Sequence, residues 1–130
     1  MRNRVQIGTT GHYEFVVGPE HVIDFAGDGM PAVLSTPNLV RLLERTAREA
    51  LKPLLEPGEA TVGVQVEVEH LAPTPPGQRV VCLARVIRSE GADISFYIEA
   101  RDQHELIIKG FHKRRIIRKD RFAERVERKH

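Results

Sequence analysis

Residues 35–58, STPNLVRLLERTAREALKPLLEPG, set the architecture of this 130-residue chain. Ser35 and Thr36 supply a hydroxyl at a helix start and Pro37 fits the first helical turn, whose N–H groups lack intrahelical partners anyway. The pattern predicts a helix to about Leu55, with Pro53 kinking its last turn and Pro57-Gly58 ending it. At about 100° per residue, Leu39, Val40, Leu43, Thr46, Ala47, Ala50, Leu51 and Leu54 form one wide apolar stripe, and Arg41, Arg45, Arg48 and Lys52 face away. A stripe this wide must be covered by another layer. Glu44 falls at its margin, beside Val40, Ala47 and Leu51, where a carboxylate needs a reason.

Downstream the period changes to two. Val62, Val64, Val66 and Val68 alternate with Gly63, Gln65, Glu67 and Glu69, which predicts a strand with one buried face and His70 in phase with the valines. Leu71–Gly77 breaks it. Arg79–Arg88 reads as a second strand, turned by Ser89-Glu90-Gly91 into a third, Ile94–Ala100, and Leu106–Ile117 as a fourth before a weakly helical basic end, Asp120–Glu127. Upstream, His12–Val17 is a short strand closed by Gly18-Pro19. Pro19–Phe25 should make one or two helical turns, and Ala26–Pro31, with two Gly and a Pro, a mobile connection. Short connections between successive strands mean an antiparallel meander. The expected class is therefore α+β, a sheet wrapped around one long central helix; a parallel α/β sheet would need alternating helices, and the chain has none.

At 14.7 kDa, with 41% hydrophobic and 29% charged residues, residues 1–130 are expected to form one domain. No run approaches the ~18 apolar residues of a membrane span, and Met1–Val5 lacks a signal peptide's apolar core, so a cytoplasmic location is expected. A single cysteine, Cys82, excludes an internal disulfide and CxxC metal or redox sites; mid-strand among Val80, Val81 and Leu83, it reads as a buried thiol. Charge is uneven. Residues 109–130 hold ten Lys/Arg against three Asp/Glu, a net of +7, which leaves −5 on residues 1–108 of a chain at +2. A basic end implies an anionic partner, phosphate above all. Nucleic acid is disfavoured, because there is no Trp, no helix-turn-helix pattern and no aromatic-basic strand.

Gly8-Thr-Thr-Gly11 precedes a strand and reads as a turn, and the chain has no GxSxG, HExxH or EF-hand loop. Three polar residues remain on surfaces that periodicity marks as apolar: Thr36, Glu44 and His70. A hydroxyl, a carboxylate and an imidazole are the ingredients of acyl transfer or hydrolysis. Each also has a structural explanation, Thr36 as a helix cap, Glu44 as a partner of Arg41 or Arg48, and His70 as a hydrogen-bonded strand end.

The stretches Leu34–Glu44, Leu55-Glu-Pro-Gly-Glu59, Gly63–His70 and Thr74-Pro-Pro-Gly77 together resemble the hot-dog-fold thioesterases of the fluoroacetyl-CoA thioesterase type, and the similarity runs from His12–Val17 to Gly110–Arg114. The resemblance implies a hot-dog fold, acyl-CoA hydrolysis, Thr36, Glu44 and His70 as catalytic groups, and Gly63 and Arg114 as substrate contacts. It implies no metal and no cofactor, coenzyme A being part of the substrate. A non-catalytic acyl-CoA-binding hot-dog module and a thioester hydratase or dehydratase are the alternatives. Fluoroacetyl-specific members carry a longer lid with phenylalanines where this chain has only Ala26–Pro31, so a short-chain acyl-CoA other than fluoroacetyl is expected. Apolar residues on both parities of Arg79–Arg88 exceed what a sheet with one wet face needs, which predicts a homodimer or a pair of dimers.

Overall fold

A computed structural model of the chain describes residues 5–23 and 26–130. Its main sheet has five antiparallel strands, β1 (Thr10–Val16), β4 (Glu59–His70), β5 (Arg79–Glu90), β6 (Asp93–Arg101) and β7 (Leu106–Arg118), in the order β1-β5-β6-β7-β4. A separate two-stranded hairpin, β2 (Val22–Ile23) with β3 (Val33–Leu34), leads into the long helix α1 (Thr36–Leu51), and a short helix α2 (Lys119–Glu127) ends the chain. The meander holds for β5, β6 and β7 only. Pro73, Pro75 and Pro76 have no N–H to close a hairpin after β4. The connection instead crosses over, and β4 pairs with β7 at the far edge.

Thr46 shows how α1 tolerates a hydroxyl in the core: it donates 2.7 Å back to the Leu42 carbonyl. Around it, Leu39, Leu42, Leu43, Ala47 and Leu51 are buried against Val80, Cys82, Ala84 and Val86 of β5 and Ile94, Phe96 and Ile98 of β6. Fully burying each such large side chain contributes about 1.5–3 kcal/mol. Pro53 converts the helix end into a 3₁₀ turn, Lys52–Leu54. Gly11 of β1 lies so close under α1 that a Cβ there would stand 2.8 Å from the Ala50 Cβ. The helix leans over β1 and β5.

That lean corrects the valine-face expectation. The far edge is left uncovered, and Val64 and Val66 are 42% and 36% exposed. A bulge between Gly63 and Gln65 also flips the parity of β4. Thr61 and Gly63 pair with Ile116 and Arg114 on the inner side, whereas beyond the bulge Val66, Val68 and His70 pair with His112, Gly110 and Ile108. Val62, opposite Arg115, is therefore turned outward.

Other boundaries shift too. The expected helical turns at Pro19–Phe25 shrink to a 3₁₀ turn, Pro19–His21, followed by β2; Phe25 lies outside the described residues. β5 runs on to Glu90, so the hairpin turns at residues 91–92. The outer sheet face carries Val81 and Ile87, 38% and 39% exposed, and Phe111, in edge contact with Tyr97. Among the described residues no helix is long and apolar enough to cross a membrane.

Candidate active site

Ser35, not Thr36, caps α1. The Ser35 Oγ accepts from the Asn38 amide at 3.3 Å and from its side-chain nitrogen at 2.7 Å. Thr36 is thus released from the capping role that periodicity allows it. Its Oγ1 lies 2.6 Å from His70 Nδ1, at the end of β4. Two ties hold this mouth in shape: the Leu34 amide donates to the Thr74 carbonyl, and the Ser35 amide to the His21 carbonyl. Thr74 is itself fully buried and donates 2.9 Å to Asp102. Thr36 and His70 line a shallow cleft with Ile23, Val33, Leu71 and Pro73.

The His70 ring is only half satisfied. Its Nε2 is buried with no hydrogen-bond partner among the described residues. Burial lowers the pKa of His70, and the Ala72 backbone opposes the shift. The imidazole is therefore biased toward neutrality. If Nδ1 accepts the Thr36 proton, Nε2 carries the hydrogen and lacks an acceptor.

Two turns along α1 a second cluster forms. Glu44 reaches toward Gly63, where a Cβ would stand 2.6 Å from its Oε2, so only glycine lets the carboxylate approach the bulged strand. Arg114, 5% exposed, donates from Nε to Thr61 Oγ1 and from Nη2 to the Thr61 carbonyl, both at 2.9 Å, and its Nη1 lies 3.3 Å from His112 Nε2. The fork expected to hold substrate oxygens is thus committed to Thr61 and His112; of five N–H groups, two stay free. His112 is fully buried. Its Nδ1 donates to the Gln65 carbonyl at 2.9 Å, just past the bulge, leaving Nε2 to accept from Arg114. Burial lowers the pKa of His112, the Gln65 bond opposes, and the Arg114 charge adds to the lowering. Burial also pulls Arg114 down, against the attraction of Glu44.

His112 and Thr61 are the residues the sequence reading left out of the site. His112 had a signal, its shared strand parity with Arg114; Thr61 had none, because its partner is set by the cross-strand register. Cys82 lies in the core, where burial pushes its thiol up to about 12. Among the described residues no group of three or more His, Cys, Asp or Glu could hold a metal ion.

The structure therefore brings Thr36 to His70, and Glu44 to Gly63 and Arg114, but does not join the two groups. Eight residues of helix separate Thr36 from Glu44, about 12 Å of rise, and their clefts share no lining residue.

Solved structures with this architecture include a hot-dog-like protein from Thermanaerovibrio acidaminovorans (25% identity, TM-score 0.90, 98% of this chain and 95% of that one). Another is a mutant of the fluoroacetyl-CoA-specific thioesterase FlK in complex with fluoroacetate and CoA (31% identity, TM-score 0.83, 91% of this chain and 99% of that one). With one long helix under an antiparallel sheet and a hydroxyl–imidazole pair at the helix start, the chain falls in the class of hot-dog thioester hydrolases. A profile of the fluoroacetyl-CoA-specific thioesterases matches residues 17–120. The fluoroacetyl-CoA thioesterase of Streptantibioticus cattleyicolor is 32% identical over 99% of this chain and 97% of its own length. This chain belongs to that family, FlK, and its chemistry is acyl-CoA thioester hydrolysis.

Proposed function

We propose that two copies of this chain complete each active site and that the enzyme hydrolyses short, unfluorinated acyl-CoA thioesters to the free acid and CoA. One observation carries the shared site: His70 holds Thr36 at 2.6 Å through Nδ1 while its buried Nε2 has no hydrogen-bond partner among the described residues. A carboxylate at Nε2 would fix the tautomer in which Nδ1 accepts the Thr36 proton. Glu44 is the carboxylate on offer, but the one in the same chain sits two turns away beside Gly63. Glu44 of a second copy meets the need. The 12-residue edge strand β4, with its exposed Val64 and Val66, is an open row of backbone groups on which that copy can pair.

In this reading Thr36 Oγ gives its proton to His70 Nδ1 and attacks the thioester carbonyl. The C–S bond breaks, CoA leaves as a thiolate and takes the proton from His70. Water, activated by the same imidazole, then releases the acid. The N–H groups of Arg114 that Thr61 and His112 leave free supply positive charge to the substrate oxygens. A free, buried cysteine and a CoA substrate both suit the cytoplasm.

The substrate assignment rests on residues 26–31 of the segment between β1 and α1, whose one phenylalanine, Phe25, precedes them. Residues 26–31 contain no phenylalanine, and Met30 is 56% exposed. The test is CoA release from a panel of acetyl-, propionyl-, butyryl- and fluoroacetyl-CoA, with mass spectrometry of quenched turnovers. Acetyl- or propionyl-CoA should be turned over at least as fast as fluoroacetyl-CoA, with an acyl group caught on Thr36. A strong preference for fluoroacetyl-CoA contradicts the substrate assignment.

A further inference from the structure

We propose that Arg41, Arg45 and Arg48 of α1 form a phosphate-binding rim that takes the nucleotide half of coenzyme A; the proposal rests on the acyl-CoA reading above. Spaced i, i+4 and i+7, the three share one helix face. With Arg114 they surround a cleft of about 400 Å³ in which Glu44 is the one lining carboxylate, so four guanidinium groups face a single negative charge. That volume is within the range of small-molecule sites.

Three arginines of the sheet are handled differently, although Arg85, like Arg45, lies over a tyrosine ring, that of Tyr97. Arg79 pairs with Glu14 at 2.8 Å, Arg115 with Asp93 at 2.7 Å and Arg101 with Glu99 at 3.1 Å. Among the described residues Arg41 and Arg45 have no ion pair, and the ion pair of Arg48 is with its helix neighbour Glu49 at 3.6 Å. Arg45 is instead laid over the Tyr13 ring, 5.2 Å from its centroid, which limits its freedom before any ligand arrives. Uncompensated cations around a concave site, one of them pre-positioned, describe a place for a multiply charged anion. Guanidinium forks suit phosphate because they can donate two parallel hydrogen bonds.

The rim also sits in the right place. It encloses Glu44, which in that reading completes the reacting centre of the second copy, so the nucleotide end on α1 of one chain lies beside the thioester end at Thr36 and His70 of the other. An acidic carrier protein would offer negative charge too, but it would need a convex surface, whereas these arginines line a cleft with Arg114 buried at its floor.

The experiment compares the wild type with Arg41→Gln and with the triple variant Arg41→Gln/Arg45→Gln/Arg48→Gln. Calorimetry measures binding of adenosine 3′,5′-diphosphate; kinetics are run on acetyl-CoA, acetyl-pantetheine and an acetyl-carrier protein. The triple variant should bind the nucleotide and use acetyl-CoA (KM) about tenfold or more worse, the loss expected for charged hydrogen bonds. Arg41→Gln should move both in the same direction by a smaller factor. Acetyl-pantetheine, which lacks the nucleotide, should lose less than about twofold. Unchanged nucleotide binding overturns the proposal, as does an equal loss on acetyl-pantetheine or a loss confined to the carrier-protein substrate. If no thioester is hydrolysed and the nucleotide still binds through these arginines, the rim stands and the hydrolase reading falls.

Discussion

The two polar clusters on α1 differ in how far one chain satisfies them. Around Glu44, Arg114 is held by Thr61 and His112, His112 by Gln65, and Gly63 lets the carboxylate in; the buried groups on the sheet side are engaged inside the chain. At the helix start, Thr36 and His70 have each other, and among the described residues His70 Nε2 makes no hydrogen bond, with only the weaker pull of the Ala72 backbone on the ring. One cluster is braced by the cross-strand register of β4 and β7; the other lines a shallow cleft at the helix start. Under the proposed shared site, the braced cluster positions charge and the other receives the group that turns a hydrogen bond into a base.

Removing the carboxylate while keeping its shape probes this division most strongly. Glu44→Gln should lower kcat by roughly 10²-fold or more with folding intact, since Gln cannot hold the imidazolium that forms at His70. Near wild-type turnover would place the carboxylate outside the chemistry. Arg114→Ala comes next, because it strips the closed cluster of its centre. It should lower kcat/KM by about tenfold or more and cost about 1–3 kcal/mol in urea unfolding, Thr61 and His112 losing their buried partner. Full stability with lost activity would make Arg114 a ligand contact alone.

Proton linkage tests both clusters at once. Burial lowers the pKa of His70 and of His112 from the 6.5 of an unperturbed ring. As pH falls below about 6.5 the unfolded chain takes up protons that the native rings refuse, so stability should decline toward acid and level off below the native pKa values. His112→Gln should flatten that decline, and urea midpoints at pH 8 and pH 5.5 measure it. The smallest effect separates neighbours: Ser35→Ala should cost about 1 kcal/mol of stability as a lost cap. Thr36→Ala should stay within about 0.5 kcal/mol while losing activity. Equal stability losses would return Thr36 to the cap.

The helix, the three-strand meander and the inert Cys82 were legible because local rules determine them: a 3.6-residue stripe, short turns and an apolar strand. The bulge at Gly63 was not. A period of two reads straight through one extra residue, so Val62 and Val64 looked in phase with His70 although only Val66 and Val68 are. Nor could a linear pattern place β4 beyond β7, which depends on long-range pairing. For the site, parity carried His70 to the inner face and the family resemblance marked Arg114; what Arg114 does there depends on Thr61, 53 residues away in sequence.

Mixing two inactive variants addresses the shared site directly. Glu44→Gln keeps Thr36 and His70, and His70→Ala keeps Glu44. If sites are shared, unfolding and refolding an equal mixture should make half the dimers hybrid, each with one intact site and one doubly impaired. Activity should return to about a quarter of the wild type. A refolded mixture no more active than its parents would contradict the shared site and return Glu44 to the chain that carries it.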